Sequence, residues 1–235
     1  MRAKIPWDQP RPGRYSVAEW DIDPQRSALV ILDMQKAYAE PSLGVGLMLR
    51  RNYPAIHRYY YSRLIQQVIP NILRLRDFFR THHLEVIYTR MGLLLPGGQD
   101  LPPWSWRRAL IRYSPDYLYP YGSTEYDLVS SVEPLPNELV LDKNTLSPFN
   151  STGIDQLLHN MKVENLVIAG LLTNAGIEST AREAGDRGYN AIAVEDACAA
   201  YHPAEHAASL RDPSWWVVKT TNEVVGTLGP LLGTA

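Results

Sequence analysis

A single cysteine, Cys198, is the only thiol in this 235-residue chain, so no intrachain disulfide framework can hold it together. That scarcity suits a reducing compartment, and the expected location is cytoplasmic. No stretch reaches the roughly 18 consecutive apolar residues that a membrane span needs, and none is expected to enter a bilayer. Residues Met1 to Tyr15 carry Pro6, Pro10, Pro12 and several charges in place of the apolar core of a secretory signal. Charge of one sign is also lacking. Lys and Arg number 23 against 25 Asp and Glu, a net charge of −2, which offers no field for nucleic acid or an anionic membrane. The Gly97-Gly98-Gln99 stretch has neither the GxGxxG nor the P-loop form, so no nucleotide site is expected. His82 and His83 close a predicted helix. His202 and His206 stand one helical turn apart with no third ligand nearby in sequence, which reads as a surface helix face. Neither a metal nor another cofactor is expected.

What is present is ordinary globular material. Hydrophobic residues make up 45% and charged residues 20%, enough to bury a substantial core without metals or disulfides. Residues 1–20 read as a proline-rich arm, and 21–235 as one domain with no internal repeat.

Within that domain short apolar runs recur, each ending in a polar or small residue. Ser27 to Leu32 ends at Asp33, Leu84 to Thr89 at Arg90, and Glu138 to Asp142 at Lys143. Leu166 to Ala169 ends at Gly170, Asn190 to Val194 at Glu195 and Asp196, and Trp215 to Val218 at Lys219. Runs of this kind are strands buried on both faces, the habit of parallel sheets. Helical patterns lie between them. Leu64, Ile65, Val68, Ile69, Ile72 and Leu73 share one helix face, with Pro70 either kinking that helix or starting a new one. Ile154, Leu157 and Leu158 mark a short helix, and Ile177 to Arg187 a longer one closed by Gly188. The expected fold is α/β: a three-layer, doubly wound, mainly parallel six-stranded sheet with helices on both faces. Two segments break the alternation and read as long loops, Tyr38 to Tyr61 and Met91 to Pro136, the latter holding Trp104, Trp106, Arg107, Arg108 and Arg112. Loops of that length serve either as lids or as oligomer contacts.

In such sheets ligands sit beyond the carboxyl ends of the strands. Asp33, Lys143 and the turn Gly170-Leu-Leu-Thr-Asn-Ala-Gly176 all fall there. A carboxylate at that place can act as general acid or base, and Lys143 supplies a compact positive charge to pair with it. The turn opens into a helix, whose first N–H groups can stabilise developing negative charge. Each feature alone has a plain structural reading: a cap, a solvated lysine, a small-residue turn.

Three blocks in order carry more. They are Ala28-Leu-Val-Ile-Leu-Asp-Met-Gln35, Val140-Leu-Asp-Lys-Asn-Thr-Leu-Ser-Pro-Phe-Asn-Ser-Thr152 and Leu166-Val-Ile-Ala-Gly-Leu-Leu-Thr-Asn-Ala-Gly-Ile-Glu-Ser-Thr-Ala-Arg182. Together they resemble the isochorismatase-like, or cysteine hydrolase, superfamily, over nearly the whole chain from about Ser27 to Val218. The resemblance implies a small-molecule hydrolase, often assembled as a homo-oligomer (dimer or tetramer). It makes Asp33 the general acid/base and Lys143 the residue that orients it. It places a cis peptide at Leu171–Leu172 and oxyanion donors at the N–H groups of Leu172 and Gly176. It puts a substrate-packing aromatic at Phe149 and looser substrate contacts at Arg90, Tyr38 and Asn174.

The departure is at Gly176, where amide-cleaving relatives carry the nucleophilic cysteine. Glycine excludes covalent thioester chemistry at that position. Isochorismatases also carry glycine there and cleave a vinyl ether by protonation and water capture. Yet Thr173-Asn174 and Glu178-Ser-Thr180 look like the amidohydrolase branch, and Arg90 stands where isochorismatases tend to carry glutamine. The expectation is therefore acid–base hydrolysis by Asp33 and Lys143 without a thiol. The alternatives are an amidohydrolase scaffold inactivated at 176, or a relative that only binds a small molecule.

Overall fold

The computed structural model describes residues 2–5, 20–103, 119–211 and 216–233. Most of the 1–20 arm, Trp104, Trp106, Arg107, Arg108, Arg112 and Trp215 lie outside the described residues. Ala3–Ile5 (β1) and Trp20–Ile22 (β2) form a small antiparallel pair.

The remaining strands make one sheet. In chain order they are Ser27–Leu32 (β3), Glu85–Met91 (β4), Leu139–Lys143 (β5), Asn165–Leu171 (β6), Asn190–Ala199 (β7) and Val217–Lys219 (β8). Their spatial order is β5-β4-β3-β6-β7-β8, and every pairing is parallel. Counting only these six, the order is 3-2-1-4-5-6, so the winding reverses between β3 and β6. That reversal is the topological switch point, where a crevice opens beyond the carboxyl ends.

The sequence of β3 explains why it lies in the middle. All six of its residues are buried, and they alternate between two cores: Leu29 and Ile31 on one face, Ala28, Val30 and Leu32 on the other. The first core is covered by Pro54–Arg63 (α3), Ile69–Thr81 (α4) and Thr221–Leu232 (α8), through Tyr60, Ile72, Leu75 and Leu228. The second is covered by Ile154–Asn160 (α5) and Glu178–Asp186 (α6), through Leu158, Ala181 and Ala184. The three-layer, doubly wound expectation matches this arrangement.

Two local readings need correction. The 38–61 segment is not a loop: it holds the end of Lys36–Ala39 (α1), Gly44–Asn52 (α2) and most of α3. Pro54 sits in the first turn of α3, where a missing N–H costs nothing, so it starts a helix and does not mark a gap. At Pro70 the chain passes from α3 through a five-residue π-turn, Leu64–Val68, into α4, with Pro70 in its first turn. Arg63, Leu64, Val68 and Ile69 all keep right-handed helical angles, so the helical path runs on through the π-turn and Pro70 does not begin a separate helix.

One glycine is required by packing at the switch point. Gly170 has φ +115°, and a Cβ on it would meet the Leu32 carbonyl oxygen at 2.1 Å. Only glycine lets β6 approach β3 this closely just before the turn that forms the site.

Candidate active site

Asp33 is the first residue beyond β3, with φ +52°, a conformation that aspartate tolerates better than most side chains. Its N–H donates to the Thr89 carbonyl at 3.1 Å, which holds the end of β3 against β4. Asp33 is buried, and its carboxylate accepts two bonds. Thr89 Oγ1 donates to Oδ1 at 2.6 Å, and Lys143 Nζ donates to Oδ2 at 2.7 Å. Lys143 itself is fully buried and gives a second bond to the Thr145 carbonyl at 3.1 Å. A buried charge pair is tolerable only when well coordinated, and this one is. Each Asp33 carboxylate oxygen thus has its own donor.

The opposing wall is the turn after β6. The Leu171–Leu172 peptide is cis, as the resemblance implied. Thr173–Ile177 then forms a π-turn leading into α6, with the Ala175 and Ile177 N–H groups donating to the Leu172 carbonyl. Gly176 does not use a positive φ, so its backbone does not demand glycine. A Cβ built there would lie 3.6 Å from Asp33 Oδ2, 3.6 Å from the Leu146 carbonyl oxygen and 3.0 Å from the Leu171 carbonyl oxygen. A side chain at this position would therefore begin in van der Waals contact with the acid.

Between these walls lies a cleft of about 170 Å³ lined by Asp33, Tyr38, Met91, Leu146, Leu171, Leu172, Ala175 and Gly176. Among the described lining residues one carboxylate faces an otherwise apolar surround and a single phenol. Burial, and next the nearby Asp33 charge, push the Tyr38 hydroxyl well above the usual phenol range, so it stays protonated. A larger cleft of about 340 Å³, lined among others by Arg26, Lys162, Glu164 and Arg187, lies at the amino-terminal ends of β6 and β7 and holds none of the expected residues.

Of the residues singled out from sequence, Asp33, Lys143, Leu172, Gly176 and Tyr38 come together here. Lys143 meets the cleft only through Asp33, and three others stand apart from it. The Arg90 guanidinium is engaged by Asp142 at 2.8 and 3.1 Å and lies against the rings of Tyr121 and Tyr126. Phe149 is buried in the second core against Tyr189, with the Arg187 guanidinium 4.7 Å from its ring centre. Asn174 is exposed and reaches Glu205 at 3.4 Å. Cys198 is buried within β7 with its Sγ toward the Val194 carbonyl, and burial pushes its thiol up to about 12. Thr89, Met91, Leu146 and Ala175 were missed. Thr89 alone had a signal: it closes the apolar run before Arg90, and the parallel register sets it beside Leu32.

A family model described as the isochorismatase domain matches residues 27–224. The chain belongs to the isochorismatase family. Two curated relatives of this isochorismatase-family hydrolase are both named ureidoacrylate amidohydrolase RutB. The protein from Caulobacter segnis is 30% identical over 223 residues, covering 89% of each chain. The one from Serratia proteamaculans is 32% identical over 183 residues, covering 74% of this chain and 70% of the relative. Among solved structures, a cysteine hydrolase from Pseudomonas syringae pv. phaseolicola superposes with a TM-score of 0.73 at 25% identity, covering 90% of this chain and 96% of that one. Among the described residues of this hydrolase, no three of His, Cys, Asp or Glu converge as a metal-ligand set, and no helix is long and apolar enough to cross a membrane.

Proposed function

We propose that this protein hydrolyses a small carbonyl-bearing molecule of the amide or ureido class, with Asp33 moving the proton and water in place of a thiol as nucleophile. The observation that carries this reading is the Asp33 carboxylate, coordinated by Lys143 and Thr89 and facing the position where residue 176 would project a side chain. A carboxylate so coordinated acts first as a base. It takes a proton from water as the water oxygen bonds to the substrate carbonyl carbon. The tetrahedral oxyanion is met by the Leu172 and Gly176 N–H groups. Asp33 then returns the proton to the leaving nitrogen as the C–N bond breaks. The names of the curated relatives favour the same substrate class. The reading includes one hydrolase domain over 21–235, a cytoplasmic location and a dimer or tetramer, the last checked by light scattering.

A second reading rests on the glycine itself: acid-first cleavage of an enol ether, with Asp33 delivering a proton to the vinyl carbon. It requires a protonated Asp33 only 2.7 Å from the Lys143 ammonium, and so ranks behind. One assay separates the two. Ammonia release from ureidoacrylate and pyruvate release from isochorismate are measured on the protein and on Asp33→Ala. Asp33-dependent ammonia supports the first reading, and Asp33-dependent pyruvate replaces it with the second. Neither product from the wild type, together with ammonia release gained by Gly176→Cys, would make the chain an amidohydrolase scaffold disabled at one position.

A further inference from the structure

His206 lies on Pro203–Arg211 (α7), a helix with no fully buried side chain, so apolar burial alone does not fix it to the rest of the molecule. Polar links reach from this helix to the site turn. His206 Nδ1 lies 2.8 Å from Thr173 Oγ1, and Glu205 lies 3.4 Å from Asn174 Nδ2. Thr173 is fully buried and follows Leu172 directly, so whatever holds it holds the wall opposite Asp33. On the far side of the imidazole, Arg63 Nη2 lies 3.0 Å from Nε2. The same guanidinium is anchored to the carbonyls of Cys198 and Glu195 and to Gln67.

This geometry fixes the direction of every bond. A guanidinium only donates, so His206 Nε2 must accept, and the proton of the neutral ring must sit on Nδ1. Nδ1–H therefore donates to Thr173 Oγ1. We propose that His206, in its neutral Nδ1–H form, is the positioning residue for the 172–176 turn, and that protonation of its ring releases that turn. A protonated ring would turn Nε2–H against the Arg63 donor and set two cations in contact. Burial, and next the Arg63 charge, lower its pKa to about 4, so the bridge is intact at neutral pH. The other titratable groups around it are Glu205 on its own helix, His202 just before that helix, and Glu195 and Cys198 of β7, whose carbonyls share the Arg63 guanidinium; of these the carboxylates would favour the charged ring. The proposal rests on the hydrolase reading for its importance to turnover, but its test needs no substrate.

The test pairs two measurements on the intact protein. Nitrogen-15 NMR of the wild-type imidazoles at pH 7 should show His206 as the Nδ1–H tautomer with a bonded, unprotonated Nε2. Amide exchange should show protection of 172–177 falling roughly tenfold or more in His206→Leu and in the wild type below pH 4, with β3 and β6 unchanged. His206→Asn, which keeps a donor near the Nδ1 position, should restore most of that protection and remove the acid dependence. Arg63→Met should move the acid release upward in pH. An Nε2–H or protonated ring at pH 7 would overturn the proposal even if the variants failed to fold. Unchanged exchange at 172–177 in a folded His206→Leu would overturn it too.

Discussion

Two acid–base pairs stand side by side at the carboxyl end of the sheet, and they do different things. Strand pleating turns successive side chains to opposite faces, so Thr89 and Lys143 point toward Asp33 while Arg90 and Asp142 pair with each other on the other side. The Lys143 side chain is 0% exposed behind Asp33, which lines the cleft with its side chain 7% exposed, whereas those of Arg90 and Asp142 are 22% and 26% exposed against Tyr121 and Tyr126. The inner pair is nearly cut off from solvent, and its Asp33 Oδ2 lies 3.6 Å from where a Cβ at residue 176 would stand. The outer pair is a strand clamp, bidentate and also held by the Tyr126 hydroxyl at 3.1 Å. On the proposed mechanism, similar cation–carboxylate pairs one residue apart divide into reaction and scaffold by which face of the pleat they occupy.

The largest expected effect lies at the inner pair. Lys143→Met leaves the Asp33 carboxylate buried without its cation, and should cost roughly 3–5 kcal/mol of stability together with turnover. Thermal denaturation and the assay above check both. A variant as stable as wild type would mean that the pair is not the buried unit described here.

That prediction depends on residues that were largely legible beforehand. Asp33, Lys143 and the 170–176 turn were readable because each follows an apolar run, and parallel sheets gather such ends at one edge. The fold was legible for the same reason. The α2–α3 region was not: Leu43-Gly-Val-Gly46 and the tyrosines at 59–61 make no clean apolar stripe, and Pro54 reads as a breaker until its place in a first turn is known. Arg90 sits in a clamp because its facing direction is set by strand register, and Phe149 is turned into the core by the short 3-10 turn Pro148–Asn150; spacing alone reveals neither. His206 meets partners 33 and 143 residues away, so it read as a surface face when it is half-buried.

The outer pair should respond more weakly. Asp142→Asn weakens one part-exposed ion pair and should cost about 1 kcal/mol or less, with turnover near wild type. A loss of turnover comparable to that of Lys143→Met would erase the distinction between the faces.

A further effect concerns pH. The folded pKa of His206 is depressed to about 4 from its ordinary value of 6.5. The unfolded chain therefore binds the extra proton first. The stability linked to this group is complete above about pH 6.5 and is lost as pH falls toward 4. Denaturant unfolding across that range should show the wild type losing stability relative to His206→Asn as pH falls. Parallel curves would remove His206 from the account.

The central claim is hydrolysis through Asp33 with no thiol, and the most direct measurement is turnover of Asp33→Asn beside Cys198→Ala on one substrate. The account predicts a loss of roughly 10²–10⁴-fold for Asp33→Asn and wild-type turnover for Cys198→Ala. Turnover that survives at Asp33→Asn and fails at Cys198→Ala would contradict it.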